Sequence, residues 1–149
     1  GTGGGLNGGD GNGLVNTAAE RAFVWTHLEA AGYITGGYNG TAITAADEYG
    51  CSVLTCPDNG FGSGMVLNNG RLIQTTTAAN AHELITGRGI PVQVIAELDR
   101  KVDDGQPATG LMHLGINGTN WTTSAACIDA GNYDLLDPSD DCAAVFRNF

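Results

Sequence analysis

PVQVIAELDRKVDDGQPATGLMHL, residues 91–114, starts with the character of a helix, breaks at an acidic turn and restarts as a strand. Val94, Ile95, Leu98 and Val102 recur at helical spacing and predict one apolar face, with Val94, Ile95 and Leu98 buried. Pro91 suits the first turn, where its missing N–H leaves nothing unpaired. Arg100 and Lys101 suit the negative C-terminal end. Gly105 is placed to end the helix in a left-handed conformation, and Pro107 forbids its return. Asp103-Asp104-Gly105 is expected to be an exposed turn, and residues 110–114 open a strand. No pair of groups here forms an obvious nucleophile and base, so the stretch reads as a structural helix–turn–strand corner.

At 149 residues the chain is read as one domain, residues 1–149, long enough to bury a proper core. Hydrophobic residues make up 42% and charged residues 15%, which excludes the highly charged disordered class. Six Lys and Arg stand against sixteen Asp and Glu, a net charge of −10 that argues against a nucleic-acid-binding face. No run approaches eighteen apolar residues. The chain begins at Gly1 without Met and is read as a processed or truncated product. Cys51 and Cys56 flank four residues, and Cys127 and Cys142 flank fourteen. Two local pairs predict two disulfides and an oxidising compartment, although four Cys permit three connectivities. The short Cys-x2-Cys knuckles of a zinc site do not occur.

Residues 1–13, GTGGGLNGGDGNG, are predicted to be a Gly-rich flexible lead-in. Residues 17–31 carry the best helix signals: Thr17 and Glu20 form a capping-box pattern, Phe23, Val24, Trp25 and Leu28 form a broad apolar face, and Gly32 provides the stop. His27 is read as a packed, hydrogen-bonded histidine. Residues 65–67 are predicted to be a short strand, Asn68-Asn69-Gly70 a hairpin turn, and residues 71–75 the returning strand. Residues 77–86 read as a short helix with Leu84 and Ile85 facing inward. The chain closes on a strand with Val145, Arg147 and Phe149 on one face.

The search for chemistry is thin. His27, His82 and His113 are scattered, no Ser lies in a Gly-x-Ser-x-Gly elbow, and with all Cys paired no thiol nucleophile remains. The chain is therefore read as a non-enzyme with no required cofactor. Asp137, Asp140 and Asp141 put three carboxylates in a loop beside Cys142, and Asp137 and Asp140 are the calcium candidates. Asp103 and Asp104 read as cap and turn residues. Three Asn-x-Thr sequons occur, at Asn39, Asn117 and Asn120.

Three stretches together resemble the globular domain of a type IV pilin-like or pseudopilin subunit. They are GDGNG at 9–13 with the helix and loop from Glu20 through Gly36, ending in Tyr38-Asn39-Gly40, then LDRKVDDGQPATG at 98–110, and the Cys127…Cys142 loop with its closing strand. The second is the most specific, with Asp99, Lys101, Asp103, Asp104, Gly105, Pro107 and Gly110 as its signature. The resemblance implies an α+β fold, a helix packed on a small antiparallel β-sheet with a disulfide-bounded C-terminal loop. It implies a structural subunit of an extracellular type IV pilus or type II secretion-like filament on the bacterial surface, serving adhesion, motility or secretion. Its partners would be other pilin subunits and, through a long apolar N-terminal helix expected ahead of Gly1, the assembly machinery of the inner membrane. No direct nucleic acid binding is expected. A secreted carbohydrate- or protein-binding module, calcium-dependent and using Trp121 and Tyr133, is the alternative from another class.

Overall fold

Helix α1 (Ala18–Ala30) begins where the sequence predicts, because Thr17 and Glu20 satisfy each other's free amides. The Thr17 hydroxyl accepts from the Glu20 amide at 3.2 Å, and the Glu20 carboxylate accepts from the Thr17 amide at 3.1 Å. Glu20 also accepts the amides of Asn16 and Asp10, so one carboxylate fastens the Gly-rich lead-in to the helix. The computed structural model describes residues 8–41, 51–73, 78–115 and 124–147.

These amide bonds, the one from Asn16 foremost and then that from Asp10, pull the Glu20 carboxyl from its ordinary 4.5 down to about 2. A depressed carboxyl pKa adds stability above the unfolded value, and that stability is lost as pH falls through the folded value. Glu20→Gln should therefore lower the melting temperature at neutral pH. The gap from wild type should close between pH 4.5 and about 2, as followed by thermal melts across that range. A gap that stays constant with pH would assign the loss to packing instead.

Strands β1 (Val66–Gly70), β2 (Ala81–Ile85), β3 (Met112–Leu114) and β6 (Ala144–Arg147) form a four-stranded antiparallel sheet in the order β1-β2-β6-β3. Between β3 and β6 the chain makes the short helix α3 (Ser124–Cys127) and a two-stranded ribbon, β4 (Ile128–Asp129) with β5 (Asn132–Tyr133). Helix α2 (Val92–Val102) precedes β3. The molecule is thus α+β with a small antiparallel sheet and two disulfides, Cys51–Cys56 and Cys127–Cys142.

The register sorts side chains by face. Val66, Ile85 and Val145 lie in one cross-strand row and pack with Trp25 of α1, Ile73 and the Cys51–Cys56 disulfide. The opposite face carries Met112, Leu114 and Ala144, which pack with Val92, Ile95 and Ala96 of α2 and the Cys127–Cys142 disulfide. One helix covers each face.

Two expectations about the sheet are overturned. Asn68-Asn69-Gly70 is not a hairpin turn: these residues continue β1, whose partner is β2, with Asn68 opposite Glu83. Asn68 can be buried in a strand because its side-chain oxygen accepts from Arg21 Nε of α1 at 2.8 Å. The helix expected over residues 77–86 is strand β2 within its described part. Its Ala, Glu and Leu are good helix formers, but pairing on both edges overrides propensity. The period is two, with Glu83 and Ile85 buried and His82 exposed. Glu83 points inward to Arg147, at 3.1 Å. His27 is half-buried against Phe23, with ring centroids 6.2 Å apart, as the packed reading expects, but its buried Nε2 has no hydrogen-bond partner.

Candidate functional site

Helix α2 buries a different ridge from the one its apolar residues predict. Val92, Ile95, Ala96 and Asp99, spaced i, i+3, i+4 and i+7, face the sheet. Val94 is 44% exposed, Leu98 37% and Val102 56%, so of the three residues expected to be buried only Ile95 is. The reason is Asp99, which is completely buried because it has a partner: the Tyr133 hydroxyl donates to Asp99 Oδ2 at 2.7 Å. With one oxygen of its carboxylate held by Tyr133, Asp99 takes the inward row beside Val92, Ile95 and Ala96, and a second apolar row, Val94-Leu98-Val102, faces outward.

Two of the grooves that this row borders are walled by other elements as well. One, of about 260 Å³, runs between Val94 and Leu98 on the helix and Phe61, Met65, Ile90 and Ala144. The other, of about 200 Å³, lies at the helix end between Val102, Leu111, Met112 and Phe146. Phe61 and Leu111 are themselves about half exposed. The outcome is an apolar seam along one side of the molecule, on the sheet face that α2 covers. Glu97 on the same helix is held by Lys101 at 3.3 Å and by Arg100. Its carboxyl lies below the ordinary range, through the Lys101 bond first and then the Arg100 charge.

The helix ends in an acidic turn. Asp103 closes α2, and its Oδ2 accepts the amides of Leu111 and of Met112, the latter at 2.7 Å. Asp104 accepts the Gln106 amide at 2.8 Å and the Thr109 hydroxyl at 2.5 Å, bonds that hold its carboxyl below the usual range, Thr109 first. Gly110 has φ +79°, and a Cβ there would lie 2.0 Å from the Asp103 carboxylate, so a side chain is barred twice over. The turn is only partly exposed: Asp104 is open, while Asp103 and Gly105 are half-buried and Pro107 is buried.

An oxygen each from Asp99, Asp103 and Asp104 lies within 4.8 Å of the others, the one such group of three or more acidic, His or Cys residues among the described residues. Burial pushes the Asp99 carboxyl up, against the downward pull of the Tyr133 hydroxyl and the Gly105 amide, and the charges of Asp104 and Asp103 add to the rise. The Gly105 amide influences the carboxylate, yet Asp99 Oδ1 closes no properly aligned hydrogen bond and is fully buried. Burial, then the bond to Asp99, likewise raises the Tyr133 hydroxyl.

The residues named from sequence are thus distributed unevenly. The signature Asp99, Asp103, Asp104, Gly105, Pro107 and Gly110 converges on one turn, while Lys101 faces outward to Glu97. The calcium candidates Asp137 and Asp140 are exposed and belong to no such group, and the Asp137 amide is turned back onto Asp134 at 2.9 Å. Tyr133 is buried, and Trp121 and the sequons at Asn117 and Asn120 lie outside the described residues. The role of Asp99 was missed because its partner lies 34 residues away; its spacing with Val92, Ile95 and Ala96 was the only sequence signal. Comparison with protein-family models finds no match, and comparisons with curated proteins and with solved structures find none either.

Proposed function

We propose that the chain is the globular part of a structural filament subunit, of the type IV pilin or pseudopilin kind, and does no chemistry of its own. The observation that carries this reading is the apolar seam of Val94, Leu98 and Val102 with Phe61 and Leu111. Contiguous apolar surface of this kind is a contact site more often than a solvated face. A repeating subunit needs such a surface on every copy. Two disulfides support a place outside the reducing cytoplasm, where this filament operates. The net charge of −10 is a repulsion that subunit contacts would have to outweigh, and apolar burial is the term able to do so.

Leu98→Glu tests this in the cell that makes the protein. Leu98 is 37% exposed, so the variant should lose about 1–2 kcal/mol and stay folded. Leu98→Ala, which loses similar area without adding charge, is the control: the two melting temperatures should be close, while sheared surface filament falls at least tenfold in L98E. Filament at wild-type levels from a folded L98E protein would remove the seam from the subunit contact. The parent gene decides the wider reading: about twenty apolar residues running into Gly1 are expected. A conventional signal peptide, or a linker to a catalytic domain, in that place would sink it and favour the secreted binding module.

A further inference from the structure

Three carboxylates gather at the end of a helix where negative charge is least welcome. The C-terminus of α2 carries the negative end of the helix dipole, which favours cations and repels anions. Asp99, Asp103 and Asp104 all sit there, with an oxygen each inside 4.8 Å. The two basic residues of the last turn, Arg100 and Lys101, do not relieve them, because both pair with Glu97 on the outer side of the helix. The cluster alone would be an acidic turn. The independent observation is Asp99 Oδ1: the side chain is 0% exposed, and this oxygen has no solvent and no aligned hydrogen bond, the Gly105 amide acting on the carboxylate without closing one onto it. A buried carboxylate oxygen with nothing to accept is costly unless something fills its place.

We infer that Asp99, Asp103 and Asp104 form a binding site for a calcium-class divalent cation, with Asp99 Oδ1 as the buried ligand. The donor set is all oxygen, which selects hard cations over zinc or copper. Each carboxylate is oriented by a fixed donor and keeps acceptor capacity. Tyr133 holds Asp99 through Oδ2, the Leu111 and Met112 amides hold Asp103 through Oδ2, and Gln106 and Thr109 hold Asp104. Three carboxylates leave room for water and backbone carbonyls among the six to eight oxygens calcium takes. That mixed, flexible shell suits calcium better than the rigid octahedron of magnesium. Through Tyr133 the site ties the end of α2 to strand β5, inside the Cys127–Cys142 loop. Cation binding would lock these two parts of the molecule together.

The test is thermal melting of the intact protein with calcium, magnesium or chelator, beside terbium luminescence. Calcium at 100 times its dissociation constant should raise the melting temperature by roughly 5–10 °C. Asp103→Asn and Asp104→Asn, on the turn and away from the core, should fold and lose most of that rise. Asp137→Asn should keep it. Terbium replaces calcium and is excited by a nearby tyrosine. Its emission should therefore be strong in wild type and fall several-fold in Tyr133→Phe. A melting temperature indifferent to calcium would overturn the proposal. So would a rise that survives both turn variants, or an equal rise with magnesium at the same concentration.

Discussion

Arg147→Met should cost about 3–5 kcal/mol, because it leaves Glu83 as an uncompensated charge inside the protein. Glu83 is 0% exposed, and Arg147 approaches its Oε1 at 3.1 Å. The pair crosses from β2 to β6, the central contact of the sheet. It is a charge contact more than an aligned bond: Arg147 Nε closes no hydrogen bond, while another guanidinium nitrogen donates to the Ala79 carbonyl. Burial already pushes the Glu83 carboxyl above its ordinary value, and only the Leu72 amide and the Arg147 charge pull it back. A carboxyl raised in the folded state holds its proton longer than in the unfolded chain, so its contribution to stability falls as pH rises from the unfolded value. Removing Arg147 raises it further. The R147M loss should therefore be greatest near pH 7 and shrink toward pH 4.5, as read from urea denaturation at the two pH values. A loss equal at both would show that packing, not charge, is what Arg147 supplies. The double variant Glu83→Leu with Arg147→Met should cost less than R147M alone at neutral pH. It should still fall short of wild type, since Glu83 also accepts the Leu72 amide, and an orphaned amide costs about 1–3 kcal/mol.

The parts of the fold that could be read in advance are those decided by local chemistry. Thr17 and Glu20 fix the start of α1 through amides within three residues of each other, and Pro91 caps the start of α2, whose end comes at Asp103, just ahead of the left-handed Gly105. Local spacing also paired the cysteines correctly. What was not legible depends on partners far along the chain. Asn68 resembles a turn residue until Arg21 is beside it. Residues 81–85 resemble a helix until β1 and β6 pair with them on both edges. Asp99 counts as polar until Tyr133 arrives, and with that bond it joins Val92, Ile95 and Ala96 on the inner ridge of α2. Both candidate surfaces lie around this helix. Burying Asp99 turns Val94, Leu98 and Val102 outward to make the seam, and sets a carboxylate behind Asp103 and Asp104 to make the acidic cluster. By sequence the segment 91–114 is a corner without chemistry, yet it holds both candidate sites because a polar residue occupies its core-facing row.

Removing the Cys127–Cys142 disulfide by a double change to Ser should cost roughly 3 kcal/mol, the loop-closure entropy of a bridge spanning 15 residues. For a domain of this length that is a fall in melting temperature of roughly 6–12 °C. The bridge does more than restrict the unfolded chain. Both sulfurs are buried in the cluster that joins α2 to β3 and β6, and Tyr133 lies inside the bridged loop. Cys142 also exchanges backbone bonds with Ile90 at the start of α2, at 2.9 and 3.2 Å. Loosening the loop therefore frees the hydroxyl that holds Asp99 in place, so the loss should exceed that of the shorter Cys51–Cys56 bridge, whose loop orients no buried charge. The two double variants, melted side by side with and without calcium, separate the effects. The Cys127–Cys142 variant should lose both intrinsic stability and most of the calcium response, whereas the Cys51–Cys56 variant should keep the response at its reduced melting temperature. Equal calcium responses in the two would show that Tyr133 is held by the core without help from the disulfide, and that the tie between α2 and the C-terminal loop is packing alone.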